Sequence, residues 1–181
     1  MKFKEFLVFF TNEVYDYKKS PLLKRPFRLF FHAFLDLEHS FLFNLRLMQL
    51  FGTSKSRILR YLGIYIQKRI LSKYGCCTHP FSKIGLGFHV PHPTGIVIGC
   101  DVVIGTNCTI YQNVTLGSKI DCGSVVAPQP VIEDDVIIYA NSLVLGNVCL
   151  SKGTIVGANS MVVKDTESHS VYVGSPATKI K

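Results

Sequence analysis

A mainly β fold, a three-sided coil of short strands preceded by an α-helical region, is predicted by three features of this 181-residue chain. From Ile98 onward an aliphatic residue recurs at every sixth position: Ile98, Ile104, Ile110 and Leu116, then Ile132, Ile138, Val144, Leu150, Val156 and Val162. A helix repeats about every 3.6 residues and a flat strand about every 2, so neither keeps such a series on one wall, whereas short strands joined by corners do. The fourth position after each aliphatic residue is compact (Val102, Cys108, Val114, Val136, Ser142, Val148, Thr154, Ser160), as the inside of a narrow coil requires. A small residue often follows the aliphatic one, as in Gly99, Gly105, Gly117 and Gly157, where a tight corner asks for a permissive backbone.

The region before the coil has a different chemistry. Residues 1–75 hold 14 Lys/Arg against 5 Asp/Glu, net +9, while residues 76–181 hold 6 against 7, net −1. All six arginines and eleven of the thirteen phenylalanines precede Gly75, which marks the boundary between a basic, aromatic-rich helical region (1–75) and a β domain (76–181). Apolar residues there follow helical spacing: Phe27, Phe30, Phe31 and Phe34, then Phe41, Leu45 and Met48, then Ile58, Leu62, Ile66 and Ile70. Thr53 or Ser54 is suited to cap the last of these helices and Gly75 to end it. Its basic residues, including Lys55, Arg57, Arg60, Lys68 and Arg69, suit either the solvated face of a cap over the open end of the coil or a peripheral contact with an anionic membrane surface.

No membrane span is expected, because Pro26–Phe51 is interrupted by Arg28, Asp36, Glu38 and Arg46, and the apolar run Phe6–Phe10 is too short for a signal-peptide core. The six cysteines form neither a CxxC pair nor a zinc-type spacing, so a reducing cytoplasmic setting is the expectation, with the inner face of the membrane as its variant. Neither a metal site nor a nucleotide motif is visible, and the basic helices carry no nucleic-acid-binding motif.

Thr78 is the expected start of the coil, with Ile84, Val90 and Ile96 as early rungs before a two-residue phase shift to Ile98. A second break separates Leu116 from Ile132 and predicts a loop over Ser118–Gln129, the kind of excursion in which binding groups sit on rigid repeats. Pro176 cannot continue a ladder and closes the coil.

Three segments carry a family resemblance: His79-Pro80 with His89-Val90-Pro91-His92-Pro93-Thr94-Gly95-Ile96-Val97-Ile98-Gly99; Tyr111-Gln112-Asn113-Val114-Thr115-Leu116-Gly117; and Val173-Gly174-Ser175-Pro176-Ala177. They resemble the serine acetyltransferase branch of the hexapeptide-repeat acyltransferases over about residues 55–181. The resemblance implies a left-handed parallel β-helix, a homotrimer, and acetyl transfer from acetyl-CoA bound between neighbouring subunits. It assigns His92 as general base, a role that a neutral imidazole titrating near working pH can fill. By the same resemblance Ala140, Gly146 and Ala158 line the CoA groove, with Lys164 and Lys179 toward its phosphates. Tyr111, Gln112, Asn113 and His89 are the candidate acceptor-binding residues.

Departures from the serine-specific pattern bear on the acceptor. Pro91 stands where the branch has an acidic residue before its histidine, Cys77 where it has an aspartate, and Pro128-Gln129 where it has Arg-His. A desolvated zwitterion needs both charges paired. The expected acceptor is therefore a hydroxyl of a sugar or surface polysaccharide. The alternatives are serine held by other residues, and a non-catalytic β-helix acting as scaffold or polysaccharide-binding module. A covalent route through Cys77 or Cys100 is disfavoured, since arginine is absent after residue 75 and thiolates need an electropositive setting.

Overall fold

In the computed structural model, residues 4–6, 8, 36–119 and 128–181 are described. The helix expected around Phe27–Phe34 and the middle of the Ser118–Gln129 loop lie outside them. Beyond Lys83 the chain forms strands of two to four residues that stack into three sheets around one core. The first sheet contains Val97–Ile98, Thr115–Gly117, Leu143–Leu145 and Met161–Val162. The second holds Lys83–Ile84, Val103–Ile104, Val131–Ile132 and Cys149–Leu150, and the third Thr109–Ile110, Ile137–Ile138, Ile155–Val156, Val171–Gly174 and Ala177–Lys179.

Register gives the size of each coil. Leu143 pairs in parallel with Met161, 18 residues on, which is three rungs of six. Lys83 pairs with Val103 and His89 with Thr109, each 20 residues on, while Val97 pairs with Thr115 at 18, so the two extra residues behind the phase shift to Ile98 lie between His89 and Val97. Val103 pairs with Val131, 28 residues on, and the excess of ten is the loop after Gly117. The sixth-position aliphatics are buried throughout, as are the compact residues between them. Cys108 is one of these, and burial pushes its thiol up to about 11. After Val171–Gly174 the chain turns at Pro176 and returns antiparallel as Ala177–Lys179, which ends the coil with a hairpin.

The four glycines that follow an aliphatic residue do not take the positive φ of the corners, which Gly87, Gly95 and Gly153 do adopt at 66° to 69°. Corners are turned by Asp101, Asn107, Asn113, Asp135, Asn141 and Asn159, all with φ between 55° and 63°, a region that Asn and Asp tolerate best among residues with a side chain. Three of the four glycines after an aliphatic residue instead allow close approach of other parts of the chain. A Cβ on Gly105 would lie 2.7 Å from the Asp134 amide nitrogen, and one on Gly157 2.7 Å from Val173 Cγ1. On Gly99 it would meet Gln129 Oε1 at 2.6 Å. Gly117 has ordinary room.

Helix α1, Leu37–Gly52, closes the open end of the coil with its buried side chains Phe41, Leu42, Leu45 and Met48. Arg46 on the same helix is buried, and it donates from Nη1 to the Ile84 carbonyl (2.8 Å) and from Nη2 to that of Gly85 (2.7 Å). Gln49 donates to the Ser82 carbonyl at 2.9 Å. These bonds satisfy coil carbonyls that have no preceding rung, the deficit that an exposed sheet end creates.

Helix α2, Arg57–Tyr74, leads into the coil; Gly75 ends it at φ 64°, its N–H bonded to the Leu71 carbonyl. Its N-cap is Ser56, and the Ser54 hydroxyl accepts the Ser56 N–H, whereas Thr53 bonds back to Gln49 at the end of α1. Only Gly63, Ile66, Ile70 and Tyr74 of this helix are buried, so the expected stripe of Ile58, Leu62, Ile66 and Ile70 is covered over half its length.

Candidate active site

His92 lies in the five-residue excursion Pro91–Gly95, which leaves the third sheet after Val90 and rejoins the first at Val97. The two residues in excess of a regular rung push the corner outward. Pro93 is buried, and the side chains of His92 and Thr94 stand in solvent. Short bonds fix the backbone: Thr94 N–H to the His92 carbonyl (2.8 Å), Gly95 N–H to that of Tyr74 (3.3 Å), and Asn113 N–H to that of Thr94 (2.9 Å). The loop is thus tied to the end of α2 below and to the next coil above.

The corner holding His92 repeats along the coil as a column of Tyr111-Gln112-Asn113, Tyr139-Ala140-Asn141 and Gly157-Ala158-Asn159. Asn141 N–H donates to Gln112 and Asn159 N–H to Ala140. The imidazole of His92 lies 6.3 Å from the Tyr111 ring, which stacks on Tyr139 at 5.0 Å. Gln112 Oε1 is buried and has no hydrogen-bond partner among the described residues, an arrangement that costs about 1–3 kcal/mol unless a donor reaches it from elsewhere. Asn113 has a corner role: φ is 57° and its amide donates to Asn141 Oδ1 at 3.0 Å.

His89 is exposed, three residues before His92 and bridged to Thr109 in the third sheet. Its Nδ1 is 3.6 Å from Glu38 Oε1, and the same carboxylate accepts the Val90 N–H at 2.8 Å. The bond from His89, with that from Val90, holds the Glu38 carboxyl below its ordinary 4.5 against the opposing effect of burial. Glu38, in the first turn of α1, therefore anchors the strand end from which the His92 loop departs. Sequence reading passed over it, and passed over the plug Arg46. The available signal for Arg46 was a cation within the apolar run Phe41–Phe51; for Glu38 no signal links residues 38 and 90.

The five expected CoA residues divide between three places. Ala140 and Ala158 share the His92 column. Gly146 follows the strand Leu143–Leu145 and, by the 18-residue register, stacks under Lys164 at the other edge of the first sheet. Lys179 lies on the closing hairpin in an ion pair with Glu167, which raises its pKa. Within one chain the first sheet separates Gly146 and Lys164 from the alanine column. Cys100, the second thiol considered for a covalent route, is pushed up by burial and by Asp101, away from the thiolate form. Among the described residues no group of His, Cys, Asp and Glu is placed to hold a metal ion.

No protein-family model matches this chain. It is 37% identical over 122 residues to serine acetyltransferase 2 of Arabidopsis thaliana, covering 67% of this chain and 37% of that protein. Against the serine acetyltransferase of Escherichia coli K12 it is 36% identical over 118 residues, covering 65% of this chain and 42% of the relative. Soybean serine acetyltransferase complexed with serine superposes with a TM-score of 0.71 at 31% identity, covering 82% of this chain and 60% of that one. A serine acetyltransferase complex with CoA gives 0.67 at 29%, covering 77% and 56%.

The fold is that of the serine acetyltransferases. The left-handed parallel β-helix that the resemblance implied is the architecture of this chain. The chain spans roughly two fifths of the length of these two curated relatives and somewhat over half of the two solved chains.

Proposed function

We propose that this protein is an acetyl-CoA-dependent O-acetyltransferase in which His92 is the general base. The observation that carries the reading is an exposed imidazole on a braced, proline-framed corner, at the foot of a column of coil corners that includes Ala140 and Ala158. In the reaction, His92 takes the proton of an acceptor hydroxyl as its oxygen attacks the acetyl carbonyl. The C–S bond then breaks, and the proton passes from His92 to the departing CoA sulfur. General-base assistance of this kind contributes about 10²–10⁴ in rate. Backbone N–H groups at a corner would hold the tetrahedral oxyanion, worth about 3 kcal/mol per donor. A homotrimer is the proposed assembly, with a neighbouring copy closing the CoA groove across the first sheet, which would bring Gly146 and Lys164 into one channel with the alanine column.

Serine is the acceptor that the relatives favour, since the curated relatives are serine acetyltransferases and the soybean structure was obtained with serine. Glu38 supplies a carboxylate near the loop that the sequence pattern had not offered, and it supports an amino-acid acceptor held by residues different from the usual ones. The second reading, a sugar or polysaccharide hydroxyl, rests on Pro91 and Cys77 in place of acidic groups and on the Tyr111–Tyr139 stack, an apolar platform that suits a neutral ring. Thiol release from acetyl-CoA, measured with serine and separately with neutral sugars and oligosaccharides, decides between them. Turnover on serine alone supports the first reading and turnover on sugars alone the second. No transfer to either class refutes the enzymatic proposal.

A further inference from the structure

Among the described residues nothing covers the outward face of α2, and the proposed chemistry does not use it. Ile58 is 80% exposed, Tyr61 72% and Tyr65 63%, and Leu62, Ile64 and Leu71 are exposed beside them. At 100° per residue, Ile58, Tyr61 and Tyr65 fall on one stripe opposite buried Gly63, Ile66, Ile70 and Tyr74. Arg57 and Lys68 flank the stripe on one side and Arg69 on the other, and between Arg57 and Tyr74 there is no acidic residue. A shallow cleft of about 310 Å³ lies among Arg57, Arg60, Tyr61 and Ile64. Capping of the coil does not account for this face, because that work is done by Arg46, Gln49 and the apolar side of α1.

We infer that α2 is a peripheral docking surface for an anionic lipid bilayer. Tyrosine is suited to the membrane–water boundary, where its ring is buried and its hydroxyl stays wet. Apolar side chains rimmed by cations are what an interfacial helix presents to acidic headgroups. Two copies of this helix meeting face to face would bring five cations against five without a compensating carboxylate on either α2, which argues against self-association as the cover. The helix lies on the surface and does not cross it: among the described residues none is long and apolar enough to span a membrane. This inference is independent of the proposed acetyl transfer.

Vesicle flotation of the full chain tests it, with phosphatidylcholine vesicles against phosphatidylcholine mixed with phosphatidylglycerol. The protein should float with the anionic vesicles, and rising salt should release it. Each basic residue near such a surface is worth about a fivefold change in partitioning, so R57Q/K68Q should lower it about 30-fold. Y61S/Y65S should lower it as well, with coil spectra and melting unchanged because both side chains are exposed. Equal flotation with neutral vesicles, no flotation with either, or flotation indifferent to both double variants would overturn the inference. So would concentration-dependent self-association that Y61S/Y65S abolishes, if it occurs without vesicle binding.

Discussion

The coil and helix α2 both display aliphatic residues at a regular period, and they use them in opposite ways. Ile110, Leu116 and Ile138 are wholly buried, while Ile58 stands 80% in solvent on a helix whose spacing promised burial of the same kind. In the coil the residue that covers a side chain is furnished by the repeat itself, one turn further on, so period and burial are a single fact. In a helix the period marks a face only, and something else must supply the cover. Ile66 and Ile70 find theirs on α1 and the first rungs, whereas Ile58 and Tyr61 do not find it within the described chain.

Substitutions along this contrast should grade accordingly. Ile138→Ala removes a fully buried wall residue with little room for collapse, and a loss of about 2–5 kcal/mol is expected in a denaturant melt. A cost below about 1 kcal/mol would mean that the coil interior is loosely packed and the periodic argument weaker than stated. Arg46→Met keeps the bulk but leaves the Ile84 and Gly85 carbonyls without their donors, for an expected loss of about 1–3 kcal/mol.

Glu38→Gln should cost about 1 kcal/mol and show its origin in pH dependence. The Glu38 carboxyl is held below its ordinary 4.5, so its contribution is complete above that value and disappears as the pH falls through the lower folded value. The variant and the parent should therefore converge in stability on acidification. A difference that persists undiminished at low pH would remove the charge from the explanation. At the small end, Ile58→Ser should change stability by no more than about 0.5 kcal/mol. A larger loss would show that this face is covered after all.

The same contrast explains how much of the molecule was legible from residues alone. Sixfold spacing predicts the coil, the phase shift at Ile96–Ile98 and the break after Leu116, because each is a local fact about spacing that geometry converts directly into corners and excursions. His92 was picked out by the family resemblance, and the prolines on both sides of it agree with the exposed corner on which the structure places it. The corner role expected of the glycines after the aliphatic residues falls mostly to Asn and Asp, since spacing locates a corner without telling which residue takes the positive φ and which makes room for the chain that packs against it. Glu38 and Arg46 escaped because each acts across more than 35 residues of sequence on backbone atoms, which carry no residue identity. The CoA residues illustrate the same limit. Ala140 and Ala158 share a column with His92 through the register, while Gly146 and Lys164 belong to a neighbouring corner that the sequence does not distinguish from it.

The central claim, an exposed corner imidazole acting as the base in acetyl transfer, is tested most directly by His92→Ala, using the acceptor on which the parent protein turns over. Thiol release should fall by about 10²–10⁴, while CoA affinity and the sedimentation profile stay at parental values. Turnover within a fewfold of the parent, with assembly and CoA affinity intact, would contradict the account.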